Sequence, residues 1–162
     1  VSNDISLAEL QELVAEFWFH YDEAHYDTLA ARYAENVRYV TRSDSGASPF
    51  EELMSPDLHG RAAVMEWLSE HRQQSPYPLR HHATNVHRTG TDGEVTRVRF
   101  YIFVNQIVNY VPLVVSSGVA NVAVRRGAQG LEFTEMEIIL DTTYSVPLSE
   151  LSADNAAGTT VS

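Results

Sequence analysis

LRHHATNVH, residues 79–87, follows Pro76 and Pro78 and precedes Thr91-Asp92-Gly93, so it reads as a strand bounded by chain breakers and a turn. Side chains in a strand alternate, which puts His81, Ala83, Asn85 and His87 on one face and His82, Thr84, Val86 and Arg88 on the other. The adjacent histidines therefore point apart and do not grip one metal ion. His81 is the one expected to face a pocket.

Upstream, Ser6-Leu7-Ala8-Glu9 fits a capping box, and Ile5 and Leu10 have the spacing of a hydrophobic staple. Leu10, Leu13, Val14, Phe17, Tyr21 and Ala24 recur at three- and four-residue steps, giving one apolar helix face with Tyr21 and Asp22 near its end. A second short helix is expected from about Asp27, then a strand over 37–41. The segment SDSGASPFEELMSPDLHG, residues 43–60, reads as a long loop of the kind that covers a site or meets a partner. Residues 61–74 read as a third helix, with Ala62, Met65, Trp67 and Leu68 at its apolar positions.

Downstream, residues 94–108 are β-branched and aromatic, setting Arg97, Arg99, Tyr101, Phe103 and Asn105 against Val98, Phe100, Ile102 and Val104. Residues 114–126 form another strand, in which Gly118 marks a bulge, and residues 131–141 close the set. Helices followed by consecutive antiparallel strands make an α+β domain with the sheet curled over the helices. A single domain over 1–148 and a small, polar tail over 149–162 are expected.

The 162 residues are 44% hydrophobic and 20% charged, an ordinary globular balance. The net charge of −11 argues against nucleic acid and anionic membrane surfaces as partners. With no cysteine, disulfides, thiolate nucleophiles and thiolate metal sites are excluded. No apolar run approaches the ~20 residues of a membrane span, and the N-terminal residues lack a signal pattern, so a cytoplasmic protein is expected. Nucleotide loops, zinc-protease motifs, nucleophile elbows and dinucleotide fingerprints are absent from the sequence. What remains for His, Asp, Tyr and Asn is proton transfer, because imidazole titrates near neutral pH and a carboxylate can fix its tautomer.

HYDEAHYDTLAARYAENVRY, residues 20–39, followed by LRHHATN and long strands, resembles the SnoaL-like branch of the nuclear transport factor 2-like superfamily. That branch includes polyketide cyclases, scytalone dehydratase, bile acid dehydratase and hexachlorocyclohexane dehydrochlorinase. The resemblance runs from about Leu7 to Thr142 and implies a cone-shaped α+β barrel, whose strongly curved, mainly antiparallel sheet wraps helices around a deep apolar pocket. Tyr21 and Asp22 match the tyrosine and aspartate at the end of the first helix in scytalone dehydratase, and the aspartate also matches the dehydrochlorinase dyad. His81 matches the family's catalytic base. Asn121 falls where scytalone dehydratase has an asparagine. Asn105 replaces its second pocket histidine, which weighs against water-activating dehydration. Phe17 stands where the dehydrochlorinase has a lysine, a little over one turn before its aspartate, which weighs against that enzyme's leaving-group chemistry.

The implied mechanism pairs Asp22 with one ring nitrogen of His81, so that the other takes a proton from an acidic carbon. Tyr21, Asn105 or Asn121 would donate to a developing enolate or leaving oxygen. No cofactor and no metal are required. Phe17, Tyr101 and Phe103 are expected to line the pocket for an apolar, aromatic or polyketide-like molecule, and Phe100, Ile102 and Val104 to form the contact face of a homodimer or homotrimer.

Taken alone, His81 reads as a core histidine and Asp22 as a solvated carboxylate. His20 and His25 lack metal-ligand spacing, His59, His71 and His87 read as exposed or structural, and Arg97 and Arg99 as an outer-face salt-bridge row. The pattern also resembles the small subunit of aromatic ring-hydroxylating dioxygenases, a structural partner without catalysis whose pocket would be shallow or filled. A non-catalytic small-molecule binding protein is the third reading. An epoxide hydrolase of the limonene type would need Asp22, Arg99 and Asp141 in one site, a register the sequence does not support.

Overall fold

The structure, a computed structural model, describes residues 4–46 and 55–150. The centre of the expected covering loop and nearly all of the expected tail lie outside the described residues.

Helix α1 spans Leu7–Asp22. Its capping box is complete: Ser6 Oγ accepts from the Glu9 amide at 3.3 Å and Glu9 Oε2 accepts from the Ser6 amide at 2.9 Å. Donation to Glu9 Oε2 from the Ser6 amide and from Ser6 Oγ, with a further bond from Arg126 to Oε1, holds the Glu9 carboxyl down at about 2. Leu10, Leu13, Val14, Phe17, Trp18, Tyr21 and Asp22 are its buried residues. The chain leaves the helix through Ala24 in the left-handed region (φ 58°), and α2 (Tyr26–Ala30) buries Leu29. Strand β1 (Tyr33–Ser43) begins four residues earlier than the sequence pattern indicated, and β2 (Asp57–His59) is a short strand inside the segment read as loop. Helix α3 covers Arg61–Gln74.

The remaining chain is a meander of β3 (Leu79–Asp92), β4 (Val95–Val108), β5 (Val111–Gly127) and β6 (Gly130–Leu140). The six strands form one curved, unclosed sheet in the order β2-β1-β6-β5-β4-β3, antiparallel throughout except for the parallel β1–β6 pair. The sheet is an α+β wrap with two edges rather than a closed barrel.

Irregular pairing supplies the curvature. Thr84 pairs with Tyr101 but His87 with Arg99, so β3 carries an extra residue there, and Asn85 takes a positive φ of 59°. The extra residue rephases the strand. Val86, not Asn85, packs against the core beyond it. On β5 the extra residue is Val115, between Ser116 opposite Val104 and Val114 opposite Asn105. Gly118 is regularly paired with Ile102 and Leu140, which corrects the bulge expected there. It lacks a side chain for another reason: a Cβ would lie 2.3 Å from the Ile139 carbonyl oxygen.

The concave face packs on the helices. Val98, Phe100, Ile102, Ala120, Val122, Met136 and Ile138 join Phe17, Trp18, Val64 and Leu68 in the core. Phe100 and Ile102 are therefore core rather than a contact face between copies. The convex face is polar in its middle: Arg99 donates to Asn121 (2.7 Å), Asn121 to Glu137 (3.1 Å), and Arg42 to Glu137 (3.0 Å), a ladder across four strands. Arg97 pairs with Glu135 in the same layer. No helix among the described residues is long and apolar enough to cross a membrane.

Candidate functional site

The last residue of α1 meets the start of β3. Asp22 Oδ1 accepts from His81 Nδ1 at 2.6 Å, and Asp22 Oδ2 accepts from the His81 backbone N–H at 2.8 Å. One carboxylate thus fixes both the strand and the ring attached to it. Because an ionised carboxylate only accepts, the bond selects, for a neutral ring, the tautomer with the proton on Nδ1 and the lone pair on Nε2. The ring is also clamped by packing: Trp18 stacks on it with centroids 4.6 Å apart and planes 8° from parallel, and Tyr21 meets it edge-on at 5.1 Å.

Arg72 holds the carboxylate's own backbone. Its Nε and Nη2 donate to the Asp22 carbonyl at 3.0 and 2.8 Å, and Nη1 donates to the Ser75 and Pro76 carbonyls at 3.4 and 3.1 Å. The side chain is buried and pins the end of α1 to the end of α3. The planar fork explains why arginine serves here, since a lysine ammonium has no two parallel donors.

A cavity of about 320 Å³ opens beside this pair. Its wall includes Trp18, Tyr21 and His81 on one side, Tyr39, Trp67, Leu68 and His71 on another, and Ile102, Val104, Ile138 and Leu140 from the sheet. Gln106, Ser116, Asp141 and Thr142 add polar groups. The lining is mainly apolar with a few polar groups, the usual make-up of a small-molecule pocket. Burial pushes the Tyr21 phenol well above its ordinary range and the Tyr39 phenol up to about 12, so both remain protonated donors at neutral pH.

Of the expected site residues, the structure brings Tyr21 and His81 to the cavity wall, with Asp22 bonded to His81, and the other five elsewhere. Phe17 lies in the core, edge-on to Trp18, Tyr33 and Phe133. Asn121 sits in the convex ladder. Asn105 accepts from His82 Nε2 at 2.5 Å, Phe103 stacks on His82 at 4.7 Å, and Tyr101 is 54% exposed. The physical reason is the same for Tyr101, Phe103 and Asn105: along β4 they alternate with Phe100, Ile102 and Val104, which turn inward. Arg99 is on the convex side as well, so Asp22, Arg99 and Asp141 do not converge. The His20 and His25 Nδ1 atoms are 3.0 Å apart, a contact their spacing did not announce.

His71, which from the sequence reads as exposed or structural, borders the cavity. It lies four positions after Trp67 on α3, stacked on that ring at 4.9 Å and 4°. A histidine one turn beyond a tryptophan at an apolar position of an amphipathic helix was the available signal.

With this geometry in place, comparison with known proteins is direct. A family profile described as the SnoaL-like domain matches residues 6–137. Similar solved structures include an NTF2-like protein with a cystatin-like fold from Novosphingobium aromaticivorans, at 19% identity over 93% of this chain and 86% of that one, with a TM-score of 0.67. The β subunit of benzoate 1,2-dioxygenase from Burkholderia mallei aligns at 17% identity over 93% and 100% of the two chains, TM-score 0.68. ActVI-ORFA from Streptomyces coelicolor aligns at 18% identity over 82% and 95%, TM-score 0.66. At these identities the likeness concerns the fold. A search of curated proteins finds no significant match. The profile match covers most of the chain, and the protein belongs to the SnoaL-like domain family, with the NTF2-like fold.

Proposed function

We propose that the protein is a cofactor-independent enzyme in which His81, held by Asp22, removes a proton from carbon in an apolar, aromatic or polyketide-like substrate. The observation that carries this reading is the two-point contact between one carboxylate and both the ring and the backbone of His81, beside a cavity. Such a contact fixes tautomer and direction together, which is what a general base needs. Tyr21 stands beside the ring as a protonated donor for charge developing on oxygen. Water elimination, double-bond isomerisation and ring closure all begin with this step.

The reading is tested with an apolar bicyclic ketone, 2-tetralone, in deuterated buffer. The parent protein is expected to speed exchange of its acidic α protons, and His81→Ala to return the rate to the buffer background. Equal rates for the two proteins overturn the proposal.

A second reading, a non-catalytic partner subunit or a contact between copies of this chain, is favoured by one feature. The β4–β5 hairpin exposes Ile107, Tyr110, Val111, Leu113, Val114 and Val115. An iron–sulfur subunit copurifying with the chain would support the subunit form, and a concentration-dependent sedimentation coefficient a homodimer or homotrimer. The open cavity weighs against the subunit form, which calls for a shallow or filled one.

A further inference from the structure

We propose that His71 is a second catalytic residue of the cavity, donating a hydrogen bond to the substrate oxygen on which charge gathers as His81 removes the proton. The inference rests on the proposed function and extends it to the recognition of a carbonyl group.

His71 and His81 belong to different elements, α3 and β3, yet border the same cavity. The His71 ring is fixed by its parallel stack on Trp67, which in turn leans on Tyr39 with centroids 5.6 Å apart. Its backbone is anchored as well, since the His71 carbonyl accepts from Ser75 Oγ at 2.7 Å and the next residue, Arg72, is locked in place. The ring nitrogens have no hydrogen-bond partner among the described residues. A half-buried imidazole, held by its stack and bordering a mainly apolar cavity with its ring nitrogens committed to no described protein group, offers a polar contact to a ligand there.

Its protonation state suits the role. Burial first, and then the nearby His81 and Arg72, holds the His71 imidazole below its ordinary value. It therefore enters the reaction neutral, with one N–H to give, and adds no charge that would weaken the base.

The step balances without a co-reactant. The substrate C–H bond breaks and its proton goes to His81 Nε2. The electron pair forms the carbon–carbon double bond, and the carbonyl π pair moves onto oxygen, where the His71 N–H meets it. Return of the proton to carbon restores both rings. The substrate class is thus an apolar ketone with an acidic C–H beside its carbonyl.

The test uses 2-tetralone exchange together with binding of 2-naphthol, which places a hydroxyl where the enolate oxygen would be. His71→Phe keeps a ring to stack on Trp67 and removes the donor, and is expected to slow exchange about 100-fold, the usual effect of losing one donor to a developing oxyanion. His71→Gln restores an N–H and is expected to recover part of the rate. In the parent, 2-naphthol is expected to move the His71 ring ¹⁵N resonances. Parental exchange by His71→Phe, while His81→Ala is inactive, overturns the role of His71 alone. Equal exchange by the parent and His81→Ala overturns the base itself, and the 2-naphthol shift then decides whether His71 still meets a ligand oxygen. Resonances unmoved by saturating 2-naphthol contradict the proposal.

Discussion

Asp22 binds His81 twice, through Oδ1 to the ring at 2.6 Å and through Oδ2 to the backbone N–H at 2.8 Å. An amide in its place can accept only through its oxygen. In Asp22→Asn, the oxygen is expected to keep the backbone bond while the NH₂ faces the ring, turning Nδ1 into the acceptor and moving the ring proton to Nε2. Proton-abstraction rates are expected to fall by about 10²–10⁴, the span that general-base catalysis supplies. Stability is expected to drop by about 1 kcal/mol as hydrogen bonds to a charged acceptor become neutral ones, read by urea unfolding.

Arg72 satisfies three backbone carbonyls from inside the protein, and no substitute reaches all of them. Arg72→Met leaves the Asp22, Ser75 and Pro76 oxygens without their donors. A loss of about 3 kcal/mol is expected, again by urea unfolding. Arg72→Lys is expected to recover only part of it, since an ammonium lacks the fork. Full recovery with lysine would show that charge, not geometry, is what the site requires.

Gly118 marks a close approach of β5 to β6. Gly118→Ala sets a methyl group against the Ile139 carbonyl oxygen, a backbone atom that moves only with its strand. Overpacking of this kind is expected to cost about 1–3 kcal/mol and to lower the melting temperature measured by circular dichroism. A neutral substitution would mean that the sheet relaxes at this point.

The pH dependence follows from His71. Half-buried, and near His81 and Arg72, it takes up a proton less readily in the folded protein than in the unfolded chain. As pH falls below its ordinary value near 6.5, the unfolded chain is protonated first, so stability present above that pH is lost on the way down. The urea midpoint is expected to decline less between pH 7.5 and 5.5 in His71→Phe than in the parent.

Much of the fold is legible in local chemistry. Ser6 and Glu9 announce the start of α1, and the stripe from Leu10 to Tyr21 announces its buried face. The alternation after Val95 announces the long strands. Which face of β4 turns inward is less plain, because Phe100, Ile102 and Val104 alternate with Tyr101 and Phe103 and both sets are apolar. Arg97 and Arg99 held the answer: a face carrying two arginines stays at the surface, where Glu135, Asn121 and Glu137 await them. Placing Tyr101, Phe103 and Asn105 on the pocket side went against that signal.

Single-residue irregularities were also hidden. The extra residues at Asn85 and Val115 shift the alternation without any glycine to mark them, while Gly118, which invited a bulge, answers to a neighbouring carbonyl. The pairing of Asp22 with His81 joins residues far apart in the chain, so only the family resemblance, not periodicity, drew them together. His71 escaped because a histidine on an amphipathic helix carries no mark of whether the space beside it is filled or open.

The most direct measurement is a long-range ¹H–¹⁵N spectrum of the histidine rings at pH 7.5, in the parent and in Asp22→Asn. The account predicts His81 with its proton on Nδ1 and a bare Nε2 in the parent, and the opposite tautomer in the variant. A parent ring protonated on Nε2, or a tautomer indifferent to the Asp22 substitution, would contradict the claim that Asp22 presents His81 to the cavity as a base.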